Sequence, residues 1–154
     1  MRKLGIIAVL SLMALALAAV PAWAAPHFIK NATSVTQQGN NLVVTFKEAG
    51  LAAGSTETIT LSATATTTYA CVNNGGQIPD AANKQTTATT ATASGEFTAD
   101  QNGNIVGSLT LTPPGPGTNT LVCPPGQTET FQSVSYSNIT LTDADSGATI
   151  SLRL

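Results

Sequence analysis

Residues 57–71 read "ETITLSATATTTYAC". The odd positions carry Glu57, Ile59, Leu61, Ala63, Ala65, Thr67, Tyr69 and Cys71, and the even positions carry Thr58, Thr60, Ser62, Thr64, Thr66, Thr68 and Ala70. Beyond Glu57 this is a period of two, with one apolar face and one hydroxyl face. It fits a strand half-buried in an antiparallel sheet and does not fit the 3.6-residue period of a helix. Such a strand needs an apolar layer across from it.

The alternation recurs. "NLVVTF" (41–46) aligns Leu42, Val44 and Phe46 after the turn-like "QQGN". "NIVGSLTLT" (104–112) aligns Ile105, Leu109 and Leu111, and "ATISLRL" (148–154) aligns Ala148, Ile150, Leu152 and Leu154. Asn102-Gly103 and Ser146-Gly147 mark turns. "FQSVSYSNITLTD" (131–143) breaks the pattern, because Val134 and Tyr136 share one parity while Phe131, Ile139 and Leu141 have the other. A bulge near Ser137-Asn138, or a strand passing between sheets, would restore the register. From Ala25 onward the chain has 25 threonines and few Leu, Glu or Lys, which favours strand over helix. Seven or eight short strands separated by turns predict an all-β fold, an antiparallel β-sandwich.

The first residues obey a different logic. Met1-Arg2-Lys3 is followed by the uncharged "LGIIAVLSLMALALAA", and Ala22-Trp23-Ala24 supplies the small residues of a cleavage site. This predicts a secretory signal peptide over 1–24 and one domain over 25–154. Leu4–Val20 is short for a membrane span and has no stop-transfer charges behind it, so no span is expected in the mature chain. The mature chain loses Trp23 and both methionines and keeps Lys30, Lys47, Lys84 and Arg153 against eight carboxylates, a net charge of −4. Sparse, mildly acidic charge excludes a phosphate-tracking surface, so no nucleic-acid partner is expected. Cys71 and Cys123 are an even count in an exported chain, which predicts one disulfide between them. Closing a loop of that length is worth about 4 kcal/mol in the chain-entropy model.

Two longer segments carry a family resemblance. "EAGLAAGSTETITLSA" (48–63) and "FTADQNGNIVGSLTLTP" (97–113) resemble secreted bacterial Ig-like domains, in which a Gly-rich bend precedes a strand and an Asp/Asn-Gly turn joins a later hairpin. They are similar, more distantly, to the neocarzinostatin-type apoproteins, small secreted sandwiches that carry an enediyne chromophore. "PHFIKNATS" (26–34) and "CVNNGG" (71–76) also resemble parts of small secreted proteins. The resemblance implies an Ig-like sandwich and, by way of the apoproteins, a carrier of a small apolar ligand as one alternative.

Catalytic and metal-binding patterns are sparse. His27 is the one histidine, and Pro26 before it has no amide proton to give to a copper site. A two-carboxylate hydrolase could draw on Glu48, Glu57, Asp80, Glu96, Asp100 and Glu129, but sequence context marks no pair. Asp143-Ala144-Asp145-Ser146-Gly147 alternates oxygen ligands like a calcium loop yet lacks the later bidentate Glu, and "DQNGN" (100–104) has its Gly out of place. Both are sequences that β-turns favour. Without Trp, a sugar-stacking platform is not expected, and the sequons at Asn31 and Asn138 fit chance in a Thr-rich chain. No catalytic residue, metal or cofactor is expected.

What remains is "PPGPGTNTLVCPPGQ" (113–127), five prolines around Cys123, with "CVNNGGQIPDAANKQ" after Cys71. A Cys71–Cys123 bond would clip two irregular loops together at one end of the sandwich. Loops on a rigid scaffold often carry recognition. The expected contact surface is Val72–Gln77 with Pro113–Gln127, and Asn73, Asn74, Asn119 and Gln127 supply hydrogen bonds. The expected partner is an extracellular protein, a surface or a small molecule; an extracellular structural or protective role is the further alternative.

Overall fold

A computed structural model describes residues 24–79, 83–116 and 121–154. The signal segment expected at 1–24 lies outside the described residues apart from Ala24, and so do Asp80 and Asn119. Among the described residues no helix is long and apolar enough to cross a membrane.

The threonine-rich alternation forms the longest strand. In chain order the strands are β1 (His27–Phe28), β2 (Ser34–Gln38), β3 (Asn41–Ala49), β4 (Thr56–Asn73), β5 (Lys84–Thr98), β6 (Ile105–Leu111), β7 (Gln127–Asp143) and β8 (Thr149–Leu152). A 3-10 turn, Lys30–Ala32, links β1 to β2. All pairings are antiparallel. In one sheet β3 pairs with β6 along one edge and with β2 and then β1 along the other. The second sheet has the order β5-β4-β7-β8.

The inner faces meet in one apolar layer. Leu42, Val44 and Phe46 of β3 and Ile105, Leu109 and Leu111 of β6 pack against Ile59, Leu61, Ala63 and Ala65 of β4, with Tyr136, Ile139 and Leu141 of β7. Phe46 makes edge-on contacts with Phe28 and Phe97, at centroid distances of 5.9 and 5.2 Å. Gly107 admits that arrangement: a Cβ there would lie 2.6 Å from Phe97 and 2.7 Å from Phe46.

The irregularity of 131–143 resolves into two bulges. Ser62 pairs with Thr140 and Thr64 with Ser137, so Asn138 and Ile139 share one partner position. Asn138 takes a positive φ of 51° and its amide donates to Thr64 Oγ1. A second shift, between Thr68–Ser133 and Tyr69–Phe131, sets Gln132 out of register. Each bulge reverses the parity once, and together they turn Phe131, Val134, Tyr136, Ile139 and Leu141 to one face.

The sheets differ in length. β4 spans 18 residues, β7 17 and β5 15, against nine for β3 and seven for β6. At about 3.3 Å per residue β4 is about 60 Å long and β3 about half that. The longer sheet therefore runs on past the β2–β3 turn, where Tyr136 O–H donates to Asn40 O at 2.8 Å.

Candidate functional site

Beyond that turn, the described parts of the β6–β7 loop, 112–116 and 121–126, lie against the overhanging inner face of β4 and β7. Tyr69 packs edge-on against Phe131 at 5.6 Å and its hydroxyl donates to Pro114 O. The Leu121 N–H donates to Glu129 Oε1. Cys71 and Cys123 form a disulfide, with a Cα–Cα distance of 5.4 Å. Cys71 lies inside β4, fully buried, so the bond pins the proline-rich loop onto a strand rather than loop to loop. Between the anchored Leu121 and Cys123, Val122 is 94% exposed.

The expected contact residues divide by role. Asn73 ends β4 opposite Gln127, the first residue of β7, so these two share the tip of the long sheet. Asn73 Oδ1 accepts from the Gly75 and Gln77 N–H groups, and its backbone N–H donates to Gln77 O. Its side chain is committed to closing the β4–β5 connection. Asn74 and Gln77 beside it are exposed. Gln127 Oε1 is buried and accepts no hydrogen bond from the described residues.

A second constellation lies at the opposite end of β4. Glu48 of β3 and Asp143 of β7 are fully buried, and Glu57 of β4 is 7% exposed. Asp143 pairs with Ile59, which places it beside Glu57 in the long sheet, and Glu48 faces both from the short sheet. Asp145 follows in the β7–β8 turn, exposed, and its Oδ2 accepts from the Thr58 N–H at 2.7 Å. One carboxylate oxygen from each of Glu57, Asp143 and Asp145 lies within 4.8 Å of the others.

Backbone amides and serine hydroxyls supply the hydrogen bonds around these carboxylates. Ser55 O–H donates to Glu57 Oε1 and the Asp145 N–H to Asp143 Oδ1. The Ser146 hydroxyl lies 2.5 Å from Asp143 Oδ2 and 3.3 Å from Glu48 Oε1, a single proton facing two carboxylates. Glu48 Oε2 is buried without a partner among the described residues. Burial first, then the Asp143 carboxylate alongside, push the Glu48 carboxyl up to about 7; Glu57 adds to this and Ser146 opposes it.

The alternation in the sequence contained the signal for this group. Glu48 continues the inward series of Leu42, Val44 and Phe46; Glu57 precedes Ile59 in phase; Asp143 follows Ile139 and Leu141 in phase. Each acid occupies the next core-facing position at the end of its strand. The other carboxylates lie apart. Glu96 is exposed on β5, Glu129 holds the Leu121 amide, and Asp100 accepts from Asn102 N–H, Asn104 N–H and the Asn104 side chain. Those bonds hold the Asp100 carboxyl below its usual range and spend it on the turn. The two segments that carry the family resemblance meet here: the Leu51 N–H donates to Gly103 O, and a Cβ on Gly103 would lie 2.2 Å from Leu51 O.

Grooves formed by the described residues are open and peripheral. One of about 620 Å³ runs between Lys30–Val35 and Ser151–Arg153, where the edges of the two sheets approach. The chain matches no protein-family model and no curated protein sequence.

Proposed function

We propose that this is a secreted, non-catalytic β-sandwich of Ig-like kind that binds an extracellular partner through the disulfide-pinned end of its longer sheet. The observation that carries this reading is the overhang. Three strands outrun the second sheet, and the inner face of β4 and β7 there is instead met by Pro114, Leu121 and Cys123 of a cross-linked, proline-rich loop. Ordering such a loop is entropically costly, and a disulfide with prolines lowers the cost by restricting the unfolded chain. The result is a fixed surface at the end of a long arm, with Val122, Asn74 and Gln77 held out toward solvent. A disulfide is compatible with an oxidising extracellular location.

The partner is an extracellular protein or a cell-surface polymer. A non-catalytic reading is supported by the commitment of other candidate carboxylates to the protein's own backbone: Glu129 accepts from the Leu121 N–H, and Asp100 from the Asn102 and Asn104 N–H groups. The carrier alternative draws less support, because the apolar faces fill the space between the sheets with Phe46, Leu61, Leu111 and Leu141.

The test is retention from the producing culture. Immobilised mature protein and an Asn74→Ala/Gln77→Ala/Val122→Ser variant are exposed in parallel to culture medium and to cell-envelope fragments, after matched melting curves establish that both are folded. The wild type is expected to retain a component that the variant loses. Identical retention by the two proteins, or none by either, would sink the reading.

A further inference from the structure

We infer that the acidic end of the sandwich is a Ca²⁺ site, in which Glu57, Asp143 and Asp145 ligate the ion and Glu48 completes the set. The site lies about 45 Å from the pinned tip, judged from the residues of β4 between Glu57 and Cys71 at the strand rise, and does not rest on the proposed binding role of that tip.

Geometry comes first. Oxygens bound to one Ca²⁺ at about 2.3–2.6 Å are at most about 5 Å apart. The three carboxylate oxygens, all within 4.8 Å of one another, meet that bound from two strands and a turn. The donors are carboxylates and a serine hydroxyl, with no nitrogen or sulfur. That selects a hard cation over zinc or copper. Between the hard cations, Mg²⁺ keeps several waters and a strict octahedron, whereas Ca²⁺ accepts a crowded, irregular set of carboxylates. Asp143 and Glu57 are almost wholly removed from water, so the ion held here must shed hydration.

An independent observation points into the cluster. Glu48 lies on the facing sheet, outside the group of three, and is fully buried, with Oε2 unpartnered among the described residues. A buried acceptor without a donor costs free energy, and native interiors rarely leave one. Its other oxygen faces Ser146, whose hydroxyl also faces Asp143, so the carboxyl is turned toward the cluster. The negative groups that crowd together here, Asp143 and Glu57 beside Glu48, are what a divalent cation neutralises. The Asp143–Gly147 segment lacks an acidic ligand further along its own loop; Glu57 and Glu48 supply that ligand from other strands. Asp145, exposed at the rim, provides the entry side.

The test uses the full mature chain, stripped with EDTA, and calorimetric titration with Ca²⁺ or Mg²⁺ at matched ionic strength near neutral pH. Expected is one Ca²⁺ per chain with a Kd of about 1 mM or tighter, as in extracellular modules. About 10 mM Ca²⁺ is expected to raise the melting temperature by about 5 °C, with a clearly smaller rise from Mg²⁺. Asp145→Asn, at an exposed position, is expected to remain folded and weaken Ca²⁺ binding about tenfold or more. Glu48→Gln, which keeps the shape, is expected to weaken it as well. Absence of both heat and a melting shift in the wild type overturns the inference. So does an equal shift from Mg²⁺, which is charge screening, or undiminished binding in both variants.

Discussion

Glu48 sits two residues beyond Phe46 on the inner face of β3, and burial with Asp143 alongside pushes its carboxyl up to about 7. Between the ordinary value of 4.5 and about 7 the folded chain therefore holds a proton that the unfolded chain has released. The stabilising contribution of this group is complete below pH 4.5 and is lost as pH rises through about 7. The shift sets an upper limit of about 3 kcal/mol on that loss. In the EDTA-treated protein, stability by urea unfolding is expected to fall between pH 5 and 8, and Glu48→Gln, which cannot ionise, is expected to flatten that fall. An unchanged slope in the variant would place the pH dependence elsewhere. Individually, Glu48, Glu57 and Asp143 look like acids at strand ends. Their grouping was only half legible, because parity places each inward but does not say that the three ends meet. Asp143 reaches Glu57 through the β4–β7 register, which depends on where the bulges fall. Asn73 was legible as a tip residue, but not as one already occupied by the Gly75 and Gln77 amides.

The strands were most legible where one face is apolar over most of its length. β3, β4 and β6 bury Leu42, Val44, Phe46, Ile59, Leu61, Ile105 and Leu111 at two-residue spacing. β5 was not marked, because its inward positions carry Gln85, Thr87, Thr89, Ala91, Ala93 and Gly95 and its other face is also hydroxyl-rich. Its partner β4 decides its conformation by pairing along its whole length. In β7 the parity changes were visible and one bulge was expected, whereas Phe131 requires the second at Gln132. Two substitutions probe these devices. Gly107→Ala places a methyl between Phe46 and Phe97 and is expected to cost about 1–3 kcal/mol, while Val106→Thr on the outer face stays within about 0.5 kcal/mol, both read by urea unfolding. Asn138→Val forces a β-branched side chain into the left-handed region and is expected to cost about 1–2 kcal/mol, with Asn138→Gly near neutral. If Asn138→Val were as stable as wild type, the first bulge would not lie at this residue.

At the scale of the molecule, the two ends of the long sheet are held by different physics. Around Leu61 and Leu141 the longer sheet is covered by β3 and β6, and the apolar layer holds it. Past the β2–β3 turn that layer gives out, and the inner face relies on Tyr69 against Phe131, the Tyr69 bond to Pro114, the Leu121 bond to Glu129 and the disulfide. The hydrogen-bonded ladder from β5 through β4 to β7, though shifted at its two bulges, extends into both regions, so a ladder alone does not distinguish them. Burial does, and local opening follows burial. A Cys71→Ala/Cys123→Ala variant is therefore expected to lose about 2–4 kcal/mol of global stability while opening unevenly. In hydrogen exchange, amides of Tyr69–Asn73, Lys84–Thr87 and Thr128–Phe131 should lose protection. Those of Leu42–Phe46, Ile59–Ala65, Ile105–Leu111 and Ile139–Asp143 should keep theirs relative to one another. Uniform acceleration across both sets would mean that the ladder transmits the loss and the molecule opens as one unit. A selective loss would mean that the pinned end is a separately stabilised surface, carried on the sandwich but not required for it to fold.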